Sequence, residues 1–247
     1  MRTGRLLAGA ACAPLIAHVG ALAVNFEPGA WLTLTERTRW SLAPDALLFT
    51  TSCVIVGAPV FGVVIAGRCT NSDRRGVLGP AMQLGAGVLL FTVVSAVLSL
   101  GWRFGQGDAL SSVARSHVTL AASAAALTAW GALCAAWFRN PLDAAGASLL
   151  TTLLATVGLL ISGTIAGDLP RSLVAAGLTA SPLVAVAAAG QIDLLHSDLL
   201  YQISPLAHIQ VDYPTWTLAT GCYLAAAGVF MVAFAATNRR IAMSSPR

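Results

Sequence analysis

Six stretches of this chain, each about 20 residues long, hold no Asp, Glu, Arg or Lys, and they fix what it can fold into. They run 6–26, 46–66, 80–100, 118–138, 146–166 and 215–236. As an α-helix, each is about 30 Å long, the thickness of the hydrocarbon core of a bilayer. Buried helices of soluble proteins are usually shorter, and six in a row are rarely free of charge. In lipid every backbone N–H and C=O needs a partner within the protein, which makes helices the economical solution. The expected fold is all-α: a polytopic integral membrane protein of one transmembrane domain over 1–247. The first stretch follows an Arg-bearing start, as a signal peptide would. Its apolar run is too long for one and lacks a clear small-x-small cleavage site, so it is read as the first span.

Composition agrees. The chain is 57% hydrophobic and 10% charged, well below the charge of ordinary soluble domains. All 14 basic residues are Arg, a pattern read as codon bias. The net charge of +4 does not mark a nucleic-acid binder, because the arginines follow the topology. With the N-terminus inside, nine arginines fall in cytoplasmic segments (Arg2, Arg5, Arg68, Arg74, Arg75, Arg139, Arg239, Arg240, Arg247). Five fall outside (Arg37, Arg39, Arg103, Arg115, Arg171). This is the positive-inside bias, and it predicts both termini in the cytoplasm of a plasma (inner) membrane protein. Trp31, Trp40, Trp102, Tyr213 and Trp216 are expected at the outer interface, and Trp137 with Phe138 at the inner one. The five cysteines show no CxxC pairing; four fall in spans and Cys69 in an inner loop, so neither a disulfide nor a zinc site is expected.

The connections are unequal. The inner loops, 67–79 and 139–145, are short. Outer loops near 27–45 and 101–117 are moderate. The last outer connection, 167–214, is long and only partly polar. Within it, the apolar stretch 172–190 is interrupted by Ser181 and Pro182. A re-entrant or interfacial helix pair broken near Pro182 is expected there, forming an outer cap; a seventh span is the alternative. Irregular backbone at membrane depth is tolerated where protein buries it or where it lines a cavity.

This layout resembles the membrane subunit of ABC-2-type exporters, the permeases that pair with a separate ATPase. Three places carry the resemblance. Residues 66–76, with Arg68, Asp73, Arg74, Arg75 and Gly76, are similar to the basic "gRdrRrG" stretch after the second span. Asp168, Leu169 and Pro170, followed by Ser181, Pro182 and Leu183, are similar to the family's "lP…(N/S)PL" after the fifth. Tyr213, Pro214, Thr215 and Trp216 lead into a last helix ending in Asn238, Arg239 and Arg240. The resemblance implies a permease dimer, homo- or heteromeric, working with two copies of a cytoplasmic ATPase to export a lipid-like or amphiphilic substrate. It implies that Arg68, Asp73, Arg74 and Arg75 form the coupling loop that docks on that ATPase, with Arg139 and Asp143 of the second inner loop beside it. These arginines also have a plainer role, setting topology and touching headgroups. No Walker A sequence occurs in this Lys-free chain, so ATP and Mg²⁺ belong to the partner and no catalytic site or cofactor is expected here.

Other polar residues point elsewhere. Asp193, His196, Asp198, His208 and Asp212 cluster in the outer connection. Asp193 and His196, three apart, would share a helix face. Carboxylates and imidazoles ligate Zn, Cu or Fe, so a membrane metalloenzyme subunit using Asp193, His196, His208 and Asp212 is an alternative. A solvated polar face explains the same residues more simply, because the spacing matches no strong metal motif. A non-catalytic accessory subunit of a larger complex is a further alternative. His18, Asn25 and Gln83 lie inside spans, where polar residues are functional candidates by default. The spans hold no acids, which argues against a proton-driven transporter.

Overall fold

The computed structural model describes residues 12–16, 19, 36–69, 78–102, 109–138, 140–161, 170–194 and 213–244. Among them the chain is helical, with no strand. The helices are α1 (Glu36–Cys69), α2 (Leu78–Trp102), α3 (Ala109–Trp137), α4 (Pro141–Ile161), α5 (Arg171–Ala180), α6 (Pro182–Ala189) and α7 (Trp216–Ser244). Four contain stretches long and apolar enough to cross a membrane: Ala46–Gly67, Leu110–Trp137, Pro141–Gly158 and Trp216–Asn238. They mark the chain as a helical membrane protein. In α2 the corresponding apolar stretch is Gly85–Gly101. Most of the expected first span, with His18 and Asn25, lies outside the described residues.

Helix α3 is the hub, because its small residues let neighbours approach on several sides. Ala122, Ala124, Ala126, Ala129 and Ala132 are all at most 3% exposed. The closest approach is with α1. A Cβ added to Gly131 would meet the backbone of Pro59, with its carbonyl carbon at 2.7 Å. One added to Gly62 would strike Thr128 and stand 2.9 Å from the amide of Ala132. Only glycines allow the two backbones to touch there.

The contacts also give the helix directions. On α1 and α3, Pro59 meets Gly131, Gly62 meets Ala132, and Ala66 packs with Leu133, so the two run parallel. On α3 and α7, Thr119 bonds Thr220 while Ala132 and Leu133 pack with Phe234, again parallel. Helix α2 is antiparallel to α3: Ser99 and Ser95 meet His117, and Phe91 packs with Leu120 and Ala124. Helix α4 is antiparallel too: Ala144 packs with Cys134, and Thr151 meets Trp130. Thus α1, α3 and α7 begin at one end of the bundle, the upper end, where α2 and α4 finish.

The structure moves several expected boundaries. Helix α3 begins at Ala109, so half of the expected outer loop 101–117 is helix and Arg115 sits within it. Arg115 turns along the helix, its Nε donating to the Ser111 carbonyl at 3.2 Å. Cys69 closes α1 rather than lying in a loop. Pro141 opens α4 as expected. It sits at the first helical position, where its missing N–H costs nothing, and the Asn140 Oδ1 accepts from the Leu142 amide at 3.1 Å. Trp137 and Phe138, 56% and 42% exposed, form an aromatic edge at the lower end of α3.

Candidate functional site

The expected break at Pro182 is present. Helices α5 and α6 meet at Ser181 with a bend of 86°. Pro182 has no N–H to continue α5, and its ring drives the residue before it out of the helical region. Ser181 accordingly has φ −81° and ψ 111°. It closes α5 by donating its amide to the Gly177 and Leu178 carbonyls, and opens α6 by accepting from the Ala185 amide at 3.0 Å.

The pair is held within the bundle. Val184, Ala185, Val186 and Ala187 are fully buried. Val186 packs with Leu47, Leu120 and Phe91, and Ala185 with Ala122, Ala219 and Tyr223, so α6 lies among the upper halves of α1, α3 and α7. Three polar ties pin it. The Ser181 hydroxyl donates to the Thr156 carbonyl of α4 at 3.0 Å. The Ser112 hydroxyl of α3 donates to the Gly190 carbonyl at 3.0 Å. Beyond α6 the Tyr213 hydroxyl donates to the Asp193 carboxylate at 2.6 Å.

The C-terminus of α6 is a Schellman motif. The Ile192 amide donates to the Ala187 carbonyl at 2.8 Å and the Gln191 amide to Ala188 at 3.1 Å. The residue between must be left-handed, and Gln191 has φ 58°. Ile192 then packs back on the cluster of Val184, Ala187 and Leu194.

A second polar centre joins α2 to α3. His117 is 4% exposed. Its Nδ1 lies 2.8 Å from the Val113 carbonyl, which can only accept, so Nδ1 carries the proton. Nε2 faces the hydroxyls of Ser95 at 3.0 Å and Ser99 at 3.3 Å. The imidazole works as an interhelical tie at the upper end. The sequence reading missed it by treating 101–117 as a loop. The signal was available: Ser95 and Ser99 are one turn apart in an otherwise apolar helix.

The expected site residues divide. Arg68 lies in the last turn of α1, and Asp143 is exposed in the first turn of α4. The adjacent Ala144 is fully buried and packs with Val63 of α1, so these two helix ends neighbour each other at the lower end. Asp73, Arg74, Arg75 and Arg139 lie outside the described residues, as do His196, Asp198, His208 and Asp212. Asp193 stands in non-helical backbone past α6, not on a helix face as expected. Among the described residues no group of three His, Cys, Asp or Glu side chains is placed to hold a metal. Gln83 is half-buried in α2. No family model matches the chain, and no curated protein matches it.

Proposed function

We propose that this chain is the permease subunit of an ATP-driven exporter of the ABC-2 type, moving a lipid-like or amphiphilic substrate. The observation that carries the reading is the course of the chain between α4 and α7. Helix α4 finishes, and α7 begins, at the same end of the bundle, and between them lies a helix pair bent by 86°. One full crossing by that pair would leave the chain at the wrong end to start α7. A re-entrant pair that enters and leaves by one face fits, and it caps the bundle between the fifth and sixth of six spans. The long outer connection then lies opposite the short inner loops.

In this reading the lower end faces the cytoplasm. Val63, in the last two turns of α1, and Ala144, in the first turn of α4, pack in one cluster there, so the loops bearing Arg68, Asp73, Arg74, Arg75, Arg139 and Asp143 can engage one ATPase surface. Arginine suits such contacts because its planar guanidinium binds carboxylates with two parallel hydrogen bonds. ATP binding and hydrolysis, with Mg²⁺, occur on that partner. Closure of the ATPase shifts the inner loops, and the helices rock so that a pathway at the interface with a second permease protomer opens under the cap. Such switching does work only if the substrate binds the two states differently.

The test is purification of the tagged chain in mild detergent, with mass spectrometry of its companions. A stoichiometric Walker A protein, lost when Arg74→Glu and Arg75→Glu are combined, supports the reading. Companions without an ATPase, or bound metal lost on His196→Ala, would overturn it.

A further inference from the structure

One of the apolar spans carries a charge. Arg115 lies in the second turn of the stretch Leu110–Trp137 and is partly buried. Its Nε donates to the Ser111 carbonyl at 3.2 Å and its Nη2 to the Ser111 hydroxyl at 3.3 Å, so the side chain turns back toward the upper end. Among the described residues it has no carboxylate partner, and most of its N–H groups are left for another acceptor. A guanidinium in an apolar span calls for a counter-charge or a path to the interface. Trp216 marks the level. Thr119 pairs with Thr220 across parallel helices, so Arg115 and Trp216, each one turn higher, stand at one height. Tryptophan favours the headgroup region.

Below Arg115 the outward face of α3 stays open. Ala114 and Val118 are exposed, and Ala121 and Ala125 continue the same face at helical spacing. Those two alanines floor a cleft of about 460 Å³ between α2, α3 and α7. Val88 and Leu89 wall it on one side, Gly228 and Met231 on the other, and no charged side chain lines it. Leu89 is 66% exposed, so the cleft opens sideways to hydrocarbon. From the level of Ser111 down to Ala121 is about 15 Å along the axis, half the thickness of the hydrocarbon core. Cation and cleft are thus spaced as the phosphate and the chain end of one lipid. We propose that Arg115 and this cleft together bind one phospholipid of the leaflet at the upper end. The guanidinium pairs with the phosphate oxygens, which its planar N–H groups match, and an acyl chain runs past Val118 into the cleft. The charge selects the occupant. A neutral lipid leaves the arginine unpaired, and a free phosphate leaves the cleft empty. The site rests on the membrane placement of the helices and needs no ATPase.

The purified chain, in nanodiscs of phosphatidylcholine doped with a trace of phosphatidylcholine carrying a diazirine near the end of one acyl chain, tests this. After irradiation, adducts are mapped by peptide mass spectrometry. Leu89, Ala125 and Met231 should label several-fold more than Val56 and Leu154. Those two face lipid at the same depth, since Pro59 meets Gly131 and Thr151 meets Trp130. Diacylglycerol carrying the same chain should show no preference for the cleft over Val56. Arg115→Gln, eluting as a monodisperse species, should lower cleft labelling by the phospholipid several-fold and leave Val56 unchanged, while Arg115→Lys keeps much of it. Cleft labelling no higher than at Val56, an equal cleft preference with diacylglycerol in the unmutated chain, or no change in Arg115→Gln would overturn the site. Radiolabelled inorganic phosphate that binds the detergent-purified chain, and is lost in Arg115→Gln, would assign the arginine to a free anion and overturn the lipid. Failure to recover an ATPase bears on none of these readouts.

Discussion

Gly131→Ala should be among the most damaging single-methyl additions in this protein. The added carbon would face the backbone of Pro59, with the carbonyl carbon at 2.7 Å and Cα at 2.9 Å. Ordinary contact between carbons is about 3.5–4.0 Å, so α1 and α3 must part by about 1 Å. Neither side can yield locally, because the obstacle is helix backbone and not the end of a side chain. A gap of that size forfeits a quarter to a half of the dispersion energy of the contacts it opens. Overpacking of a tight interior typically costs about 1–3 kcal/mol, and the rigid obstacle puts this case near 3, about a hundredfold in the folding equilibrium. Gly62→Ala, which strikes Thr128 and Ala132 across the same crossing, should cost about as much. The two are not independent. Once the helices have parted for one methyl, the second finds room, so the double variant should cost clearly less than the sum. Gly57→Ala and Gly158→Ala meet nothing within 4 Å and should be neutral or slightly stabilising. Reversible unfolding in mixed detergent micelles, followed by tryptophan fluorescence, gives all five numbers. A neutral Gly131→Ala, or strict additivity with Gly62→Ala, would refute the backbone contact.

Three further outcomes follow from the same packing. Gln191→Gly should stabilise by about 1 kcal/mol in that unfolding assay, since a left-handed non-glycine residue costs about 1–2 kcal/mol and the exposed side chain is not needed. His117→Ala should destabilise by about 1–3 kcal/mol by removing the tie to the Ser95 and Ser99 hydroxyls of α2, and a cycle with Ser95→Ala should give a coupling of about 1 kcal/mol. Asn140→Ala should cost about 1 kcal/mol through loss of the α4 cap, with Asn140→Asp restoring it.

The sequence showed most where a single physical rule acts over many residues. Bilayer thickness sets the length of uncharged runs, so 46–66 and 215–236 match the apolar spans Ala46–Gly67 and Trp216–Asn238 to within a turn, and 146–166 overlaps Pro141–Gly158. Pro182 broke the apolar stretch 172–190 where its geometry requires. What escaped depended on pairs far apart in the chain. The upper turns of α3 carry Ser111, Ser112, Arg115, Ser116 and His117, and hydropathy reads that as a loop. They are helical because each polar group finds a partner: Arg115 on Ser111, Ser112 on Gly190, His117 on Ser95 and Ser99. The partners of Ser112 and His117 lie 18 to 78 residues away, beyond any hydropathy window. The buried Tyr223 hydroxyl is invisible for the converse reason: only the fold shows that no described residue pairs with it. The bond of Asp193 to Tyr213 likewise joins residues 20 apart in sequence.

An outer cap with docking loops on the opposite face requires the α5–α6 pair to enter and leave by one face. Single cysteines at Pro170, Tyr213 and Asn140, in a chain whose own five cysteines are replaced by serine or alanine, test it with a membrane-impermeant maleimide on intact cells and on inverted vesicles. Positions 170 and 213 should label together from outside, and position 140 only from the cytoplasmic side. Labelling of 170 and 213 from opposite faces would make 171–189 a crossing and contradict the account.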